Sequence, residues 1–423
     1  MFENQFQEKN SKLISWMSIY CSFSIFLFSA IALVVPSGFS YGALLLVLGS
    51  LVLLRLRFRF FFQRHDWIFV LTFVGYALIN VLLNVYHGLL GNAYDKPLRY
   101  LLVIPVYFFL ISCPPKQSYF WLGLIFGSLG AISIAIYQQF FDSWVIIGGR
   151  STGFLNAIQF GDIAVLLAGL LLTGILYIYH SKKQIFVLIF FSAMALITSF
   201  LSFSRGGWLA LPVVFYVLYI GADAQVRKKI TLCACLFFTI TIIIFFLLPE
   251  SNLLKIRITT TASEVSTYLR HDINENTSTS TRIEMWKNGI EAFKARPILG
   301  WGNLDSIMSA FPSQWEKLKL LDDFNHLHNE YIDVLAKKGL VGFIVLMATY
   351  LVPLCYFADL MRTRQADTMH FAAAGIVLIL CVMIFGLTQC FLAHNSGTMV
   401  FVFYLVIIKA YCRNIILSRN LKD

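Results

Sequence analysis

Apolar positions along this chain are grouped into long runs, which short polar segments separate. About twelve of these runs are long enough to cross a hydrocarbon core of about 30 Å as helices. The first run exceeds the h-region of a signal peptide, so we expect it to be retained as a helix. The pattern predicts an all-α polytopic membrane protein. The predicted spans, numbered one to twelve, are residues 15–35, 41–54, 67–86, 99–113, 119–141, 158–179, 184–203, 207–222, 230–249, 334–358, 368–390 and 396–412.

Composition supports this fold class. The chain is 58% hydrophobic and 13% charged, with a mean hydropathy of +0.74. A soluble domain carries about 25% charged residues. All eight cysteines lie in or near apolar spans, so they predict packing residues and no disulfide framework.

The net charge of +11 reflects topology more than a nucleic-acid partner. With twelve spans, the loops on the side of both termini hold about 18 basic residues, and the short loops opposite hold about four. This asymmetry predicts cytoplasmic termini. The basic loops are then suited to anionic membrane lipids, and no nucleic acid is expected.

One long polar stretch, residues 250–333, lies outside the membrane between spans nine and ten and holds more than half of the Asp and Glu residues. The chain therefore divides into a bundle at 1–249, an outer region at 250–333, and three final helices with a cytoplasmic tail at 334–423. Within the outer region, residues 255–280 are rich in Thr, Ser and Asn and predict irregular structure.

An amphipathic helix is predicted after this irregular segment. Thr281 and Glu284 have the spacing of a capping box, and Pro297 and Gly300 end the pattern. The helix is suited to lying on the membrane surface or packing on the bundle. A second helix is expected to start near Asn325 and run into span ten. The apolar face of the first helix carries Ile283, Trp286, Ile290 and Phe293.

Arg205 is the sharpest single feature of the apolar region, since it lies in a Ser-Arg-Gly-Gly segment at the outer junction of spans seven and eight. A guanidinium near lipid is costly and usually has a partner or a ligand. The flanking glycines let a ligand approach the backbone closely. The alternative is an interfacial arginine that reaches the headgroups.

Arg282 occupies the first turn of the amphipathic helix, where a cation opposes the helix dipole. That position is tolerable when the helix start and the guanidinium share an anion such as phosphate. The alternative is an ordinary solvated charge.

His328 lies at the outer mouth of span ten, where a neutral imidazole can accept a proton from an attacking hydroxyl. The alternative is a structural histidine. A zinc site from His326, His328 and Glu330 is conceivable, but no dense cluster of further ligands accompanies them. We therefore expect no metal.

Two further polar patches face outward, and interfacial anchoring and ligand binding are both open for them. Asp162 enters the apolar run of span six. Residues 394–397 are expected to form a turn between the last two spans. The first patch is Arg150, Asn156, Gln159 and Asp162, and the second is Lys96 and Arg99.

Three segments in this order resemble the superfamily of O-antigen ligases and polymerases. They are Ser204–Gly207, the Thr281–Gly302 segment with its Pro-Ile-Leu-Gly-Trp-Gly end, and His326–Gly342 with its Lys-Gly-Leu-Val-Gly end. The resemblance is strongest from about residue 200 to 345. Within the superfamily, His-Leu-His-Asn-Glu is most similar to the lipopolysaccharide O-antigen ligases of Gram-negative bacteria.

The resemblance implies a GT-C-like glycosyltransferase in the bacterial inner membrane with a periplasmic active site. It implies transfer of a glycan from undecaprenyl diphosphate to a sugar hydroxyl of lipid A–core, with inversion and with neither metal nor other cofactor. It assigns Arg205 and Arg282 to the diphosphate and His328 to the base. We also expect His326, Asn329 and Arg150 to contribute to substrate binding.

Other functions share some of these features. An O-antigen polymerase and a protein O-oligosaccharyltransferase would use the same residues with different acceptors. A twelve-helix transporter or flippase is the alternative of another class, but its characteristic polar residues lie at mid-membrane. Here they gather at the outer face.

Overall fold

The computed structural model describes residues 2–54, 63–146, 149–178, 181–247, 249, 255–256, 259, 278–319 and 325–420. Most of the segment 255–280, predicted to be irregular, lies outside these residues, as does the basic cluster at 55–59. Within the described residues the secondary structure is helical, with no strand. The predicted all-α class is confirmed.

A helix lies at each of the twelve predicted spans. Eight helices are long and apolar enough to cross a membrane by length and composition, and two shorter apolar stretches, Gly38–Leu54 and Arg205–Gly221, accompany them. The protein is therefore a multi-pass membrane protein. The principal helices at the spans are Phe2–Ala30, Gly38–Ser50, Arg64–Tyr86, Asp95–Ser112, Gln117–Phe141, Ala157–Thr173, Lys182–Leu201, Leu211–Gly221, Ala224–Leu247, Glu330–Arg362, Ala366–Phe385 and Asn395–Asn420.

Spans six, eleven and twelve form the centre of the bundle. About four fifths of the most apolar window of each is buried, whereas one third to somewhat under one half is buried in the other five long spans. A helix that is apolar on all sides must be enclosed by other helices or by lipid. The outer ends of these three central helices consequently come together, and the candidate site lies there.

Span ten begins later than predicted, and its helix is broken. The second outer helix was expected near Asn325, but the helix starts at Glu330. The Asn329 side chain accepts hydrogen bonds from the N–H groups of Tyr331 and Ile332, at 3.1 and 3.0 Å. This is an N-cap, which favours extended backbone before the helix. Gly339 then interrupts the helix with φ 63° and ψ −165°.

The break at Gly339 is filled by the chain that follows the amphipathic helix. The backbone N–H groups and carbonyls freed at the break pair with residues 297–302, so no buried backbone group there is left without a partner. The four hydrogen bonds run from Trp301 to Ala336 (3.1 Å), Gly302 to Lys337 (2.7 Å), Leu340 to Pro297 (2.8 Å) and Val341 to Ile298 (3.2 Å), naming each N–H donor first.

Two glycines make this junction possible. Gly300 and Gly339 both have left-handed backbone, with φ 68° and 63°. A Cβ on Gly300 would clash with the backbone of Lys337, and one on Gly339 would clash with the carbonyl of Ile298. The Pro-Ile-Leu-Gly-Trp-Gly and Lys-Gly-Leu-Val-Gly segments are thus two halves of one contact.

The predicted amphipathic helix is present at Ser278–Ala295, and we term it the outer helix. It packs on the outer end of span ten, where Trp286 Nε1 donates to the carbonyl of Leu327 at 3.0 Å. Its buried side is rotated from the predicted face. Ile290 was expected on that face but is 42% exposed, because the small residues at 289 and 292 permit the closest approach. The fully buried positions are Met285, Asn288, Gly289 and Ala292.

Candidate active site

Arg205 begins a short helical turn directly after the outer end of span seven. Its two flanking glycines are needed for protein packing. A Cβ on Gly206 would clash with Thr388, and a Cβ on Gly207 would lie 2.5 Å from Oδ1 of Asp162. The expectation that these glycines admit a ligand is therefore corrected, since neighbouring side chains occupy the space beside them.

Arg282 of the outer helix lies near Arg205. Burial lowers the pKa of Arg282, and the neighbouring charge of Arg205 lowers it further, whereas Asp162 opposes the shift. Two guanidiniums that approach each other in a partly buried site repel, because like charges disfavour the charged form. A site of this kind is prepared for an anion.

Arg150 and Asp162 belong to the same cluster. Arg150 Nε donates to the carbonyl of Ser202 at 2.8 Å, just before Arg205. Asp162 is fully buried and accepts a hydrogen bond from Ser204 Oγ at 2.9 Å. Both Arg150 and Arg282 interact electrostatically with this carboxyl group. We call Arg150, Asp162, Arg205 and Arg282 the arginine cluster.

His328 lies in left-handed backbone, with φ 52°. Its Nδ1 is 2.7 Å from Oε1 of Gln389, and Nε2 of the same amide is 2.8 Å from Nε2 of His394. An amide oxygen only accepts hydrogen bonds, so in this arrangement Nδ1 of His328 carries the proton. The lone pair of His328 then lies on Nε2, the nitrogen that acts as a base.

Two other histidines stand beside His328 and are neutral at neutral pH. Nδ1 of His326 accepts the N–H of His328 at 3.4 Å, and the two rings meet edge to face at 4.4 Å. Burial, and then the charge of His328, lowers the pKa of His326 to about 3. Burial, followed by the charges of Lys96 and His328, lowers the pKa of His394 to about 4.

The loop after span eleven, residues 386–394, joins all these parts, and we call it the last outer loop. Thr388 lies against Gly206, and Gln389 holds His328. Asn329 Nδ2 donates to the carbonyl of Leu387 at 3.0 Å, so the expected substrate-binding amide positions this loop. The loop therefore connects the base to the arginine cluster.

Two sequence-based expectations about this loop were wrong. Span eleven was predicted to run to residue 390, but its helix ends at Phe385. Residues 394–397 were expected to form a turn. Instead a 3₁₀ helix at Phe391–Ala393 leads into the helix that starts at Asn395. Gln389 and Thr388 were consequently missed, although two polar residues at the end of an apolar run were a visible signal.

Glu330 is directed away from His326 and His328. Its Oε2 accepts the N–H of Leu392 at 2.8 Å. In the part of the chain that the structure describes, no three His, Cys, Asp or Glu side chains are grouped closely enough to hold a metal ion. The conceivable zinc site from His326, His328 and Glu330 is therefore not assembled.

The arrangement is suited to group transfer with an anionic leaving group. A neutral imidazole in one tautomer lies next to guanidiniums supplied by different segments, on the outer side of a membrane bundle. Fixed positive charges stabilise negative charge that develops during bond breaking. Fold and site together are those of an all-α polytopic membrane protein with a glycosyltransferase-like centre.

Comparison with known proteins gives the family. A protein-family model described as O-antigen ligase matches residues 190–347, a range that contains Arg205, Arg282 and His328. The resemblance to the superfamily of O-antigen ligases and polymerases is confirmed over these residues. The chain is also similar to an uncharacterized protein of Haemophilus influenzae, with 29% identity over 381 residues that cover 88% of this chain and 93% of that relative.

Proposed function

We propose that this protein is an O-antigen ligase. It transfers an undecaprenyl-diphosphate-linked glycan to a sugar hydroxyl of lipid A–core at the periplasmic face of the inner membrane. The observation that carries the proposal is the pairing of His328, held by Gln389 in one tautomer, with the arginine cluster across the last outer loop. The family match supports the lipid-linked glycan as the class of donor.

The reaction follows from the roles of these groups. The acceptor hydroxyl gives its proton to Nε2 of His328 while its oxygen attacks the anomeric carbon of the donor. The bond from that carbon to the diphosphate oxygen breaks, and its electron pair leaves with undecaprenyl diphosphate. Arg205 and Arg282 stabilise the charge on the leaving diphosphate. Attack from the opposite side inverts the anomeric centre, and the residues named here supply each step without a metal.

Arg150 and His326 are placed to support this step. Arg150 anchors the chain before Arg205 through the carbonyl of Ser202, and its charge adds to the field at the diphosphate. His326 receives the backbone N–H of His328 and remains neutral. A second imidazolium beside the base would oppose proton transfer to it.

The basic helix ends support the proposed orientation. Arg64 begins the helix whose far end is followed by His87, and His87 contacts the carbonyl of Leu299 beside the outer helix. Lys182 likewise begins the helix that ends just before Arg205. These basic ends lie opposite the site, which fits cytoplasmic termini and a periplasmic active site.

The test is reconstitution of the purified protein with undecaprenyl-diphosphate glycan and lipid A–core, with and without EDTA. His328→Asn removes the base, and Asn tolerates left-handed backbone better than Ala does. We expect a loss of about 10²–10⁴-fold in turnover, the usual contribution of a general base. Near-normal ligation by this variant would overturn the base assignment. His65→Asn, at an exposed position at the opposite end of span three, is the matched control.

The product distinguishes the relatives of a ligase. Transfer to lipid A–core that EDTA does not affect supports a metal-free ligase. Growth of the donor glycan without lipid A–core identifies a polymerase instead. Arg205→Ala and Arg282→Ala are expected to weaken use of the donor, and unchanged donor turnover in both variants would contradict the diphosphate assignment.

A further inference from the structure

A second polar cavity lies beside the site on its outer side. Its volume is about 390 Å³, within the range of small-molecule sites. The start of span four, the segment after Gly302, the outer half of span ten and the last outer loop enclose it. No residue of the arginine cluster is among the described residues that line it.

Most of the charges in this cavity already have partners. Lys337 pairs with Asp333 at 2.8 Å and also donates to the carbonyl of Asn325. Lys338 donates to the side-chain oxygen of Asn80, and Glu330 accepts the N–H of Leu392. The cavity walls are therefore built and held by internal contacts.

Lys96 is the exception among these groups. Its half-buried ammonium lines the cavity and makes no hydrogen bond or ion pair to any residue that the structure describes. Taking an ammonium out of water without a partner is costly, so such a group is normally paired or binds a ligand. The amides of Asn92, Asn303 and Asn325 line the same cavity and suit sugar hydroxyls.

The cavity adjoins the histidine side of the site. The charge of Lys96 acts on His394, which Gln389 connects to His328, and the charge of Lys337 acts on His326. The arginine cluster lies on the other side of the last outer loop, at Thr388. A transferase needs two substrates to meet at one base, and these two polar regions flank His328.

We propose that this cavity receives an acidic sugar of the acceptor and that Lys96 pairs with its phosphate or carboxylate. The inference rests on the proposed function, because it identifies the acceptor side of that reaction. The asparagine amides hold the sugar hydroxyls and present the attacking hydroxyl toward His328. The cavity thereby selects an acceptor that carries negative charge.

The kinetic test measures initial rates against lipid A–core at saturating donor. Lys96→Met keeps much of the side-chain length and removes the charge. We expect the KM for the acceptor to rise about tenfold, as for loss of one hydrogen bond to a charged group, while the KM for the donor stays unchanged. Lys294→Met is the matched control, since Lys294 is exposed on the outer helix and paired with Glu291.

Acceptors stripped of one kind of charge identify the group that Lys96 binds. Lipid A–core is prepared either with its phosphates removed or with its carboxylates reduced. The wild-type protein is expected to lose affinity for one preparation, and Lys96→Met is expected not to distinguish that preparation from the native acceptor. An equal penalty in both proteins for every preparation would overturn charge recognition by Lys96.

Direct binding separates this inference from the proposed reaction. Glucose 6-phosphate and glucuronate are titrated into the full chain in nanodiscs. Saturable binding that Lys96→Met weakens about tenfold supports the cavity even if no ligation occurs, which would count against the ligase alone. Normal ligation with an unchanged acceptor KM and equal probe binding in Lys96→Met would overturn the cavity and leave the ligase standing.

Discussion

Gln389 is the residue whose role is most specific to the folded chain. Replacing it with Leu removes both the acceptor for His328 and the donor to His394. We expect kcat to fall about 10²-fold because the ring is no longer held in the productive orientation. The measurement is kcat and KM in the reconstituted ligation assay.

Gln389→Glu separates the two hydrogen bonds. It keeps an oxygen for His328 and loses the donor to His394, so it is expected to retain more activity than Gln389→Leu. Equal losses in the two variants would contradict a positioning role through His328 and would leave only a packing role for this side chain.

The histidine pair predicts a pH dependence of stability. The pKa values of His394 and His326 are about 4 and about 3 in the fold, below the ordinary 6.5. The unfolded chain therefore binds more protons between these values. The stabilising contribution is complete above pH 6.5 and falls as the pH decreases toward 4, by at most about 1.4 kcal/mol per pH unit for each histidine.

Thermal unfolding at pH 7.5 and pH 5 in detergent checks this sign. The wild-type protein is expected to have the lower Tm at pH 5, and His394→Gln is expected to reduce the difference. A Tm that rises on acidification, or a difference that His394→Gln leaves intact, would show that these rings are not the cause.

The sequence identified Arg205, Arg282 and His328 because charge and imidazole are conspicuous next to apolar runs. Gln389 is neutral, and its partner lies 61 residues away in the chain. The contact depends on how span eleven ends and on the packing of span ten, and no local pattern records either. Lys96 was noted as a patch residue, but its lack of a partner is visible only in the fold.

At the scale of elements, the junction between the outer helix and span ten provides a sharp prediction. Gly339→Ala would place Cβ against the carbonyl of Ile298 in left-handed backbone. We expect a loss of at least about 2 kcal/mol, from strain and overpacking together. Loss of ligation and a lower Tm in detergent are the readouts.

Gly75→Ala is the control for that substitution. Gly75 lies within the helix of span three, and a Cβ there meets nothing within 4 Å. Ala favours helix over Gly, so the variant is expected to be neutral or slightly stabilised. A Gly339→Ala protein as stable as Gly75→Ala would contradict the junction described above.

Helix positions were largely predictable, and helix interruptions were not. Apolar runs long enough to span a membrane have few alternatives to a helix, because lipid offers no partner for backbone polar groups. The break at Gly339 depends on residues 297–302, which arrive from an earlier segment and pair with the freed backbone. Average hydropathy also hid the end of span eleven at Phe385, since the loop residues after it are partly apolar.

At the scale of the molecule, a buried ionic cluster connects the first part of the bundle to the last helix. Lys409 Nζ lies 3.0 Å from Oδ1 of Asp66, and Arg413 Nε lies 3.3 Å from Oδ2. All three side chains are at most 4% exposed. Tyr107 also donates to Asp66.

Asp66→Asn should therefore destabilise the whole bundle by about 3–5 kcal/mol, because it leaves buried cations without their counter-charge. Asp359→Asn removes an exposed pair with Arg362 and should change stability by less than about 1 kcal/mol. Denaturant or thermal unfolding in detergent measures both. Similar small shifts for the two variants would argue against the cluster as a link between distant spans.

The last outer loop has a consequence for the order in which the protein becomes competent. Arg205, Arg282 and His328 all precede it in the chain, but the residues that contact them, Thr388 and Gln389, leave the ribosome after all three. Chains emerge N-terminus first, at about 5–20 residues per second. A nascent chain that already contains every candidate catalytic side chain is therefore still inactive. Transfer begins only when the final helix, Asn395–Asn420, has entered the bundle and closed the loop over the site.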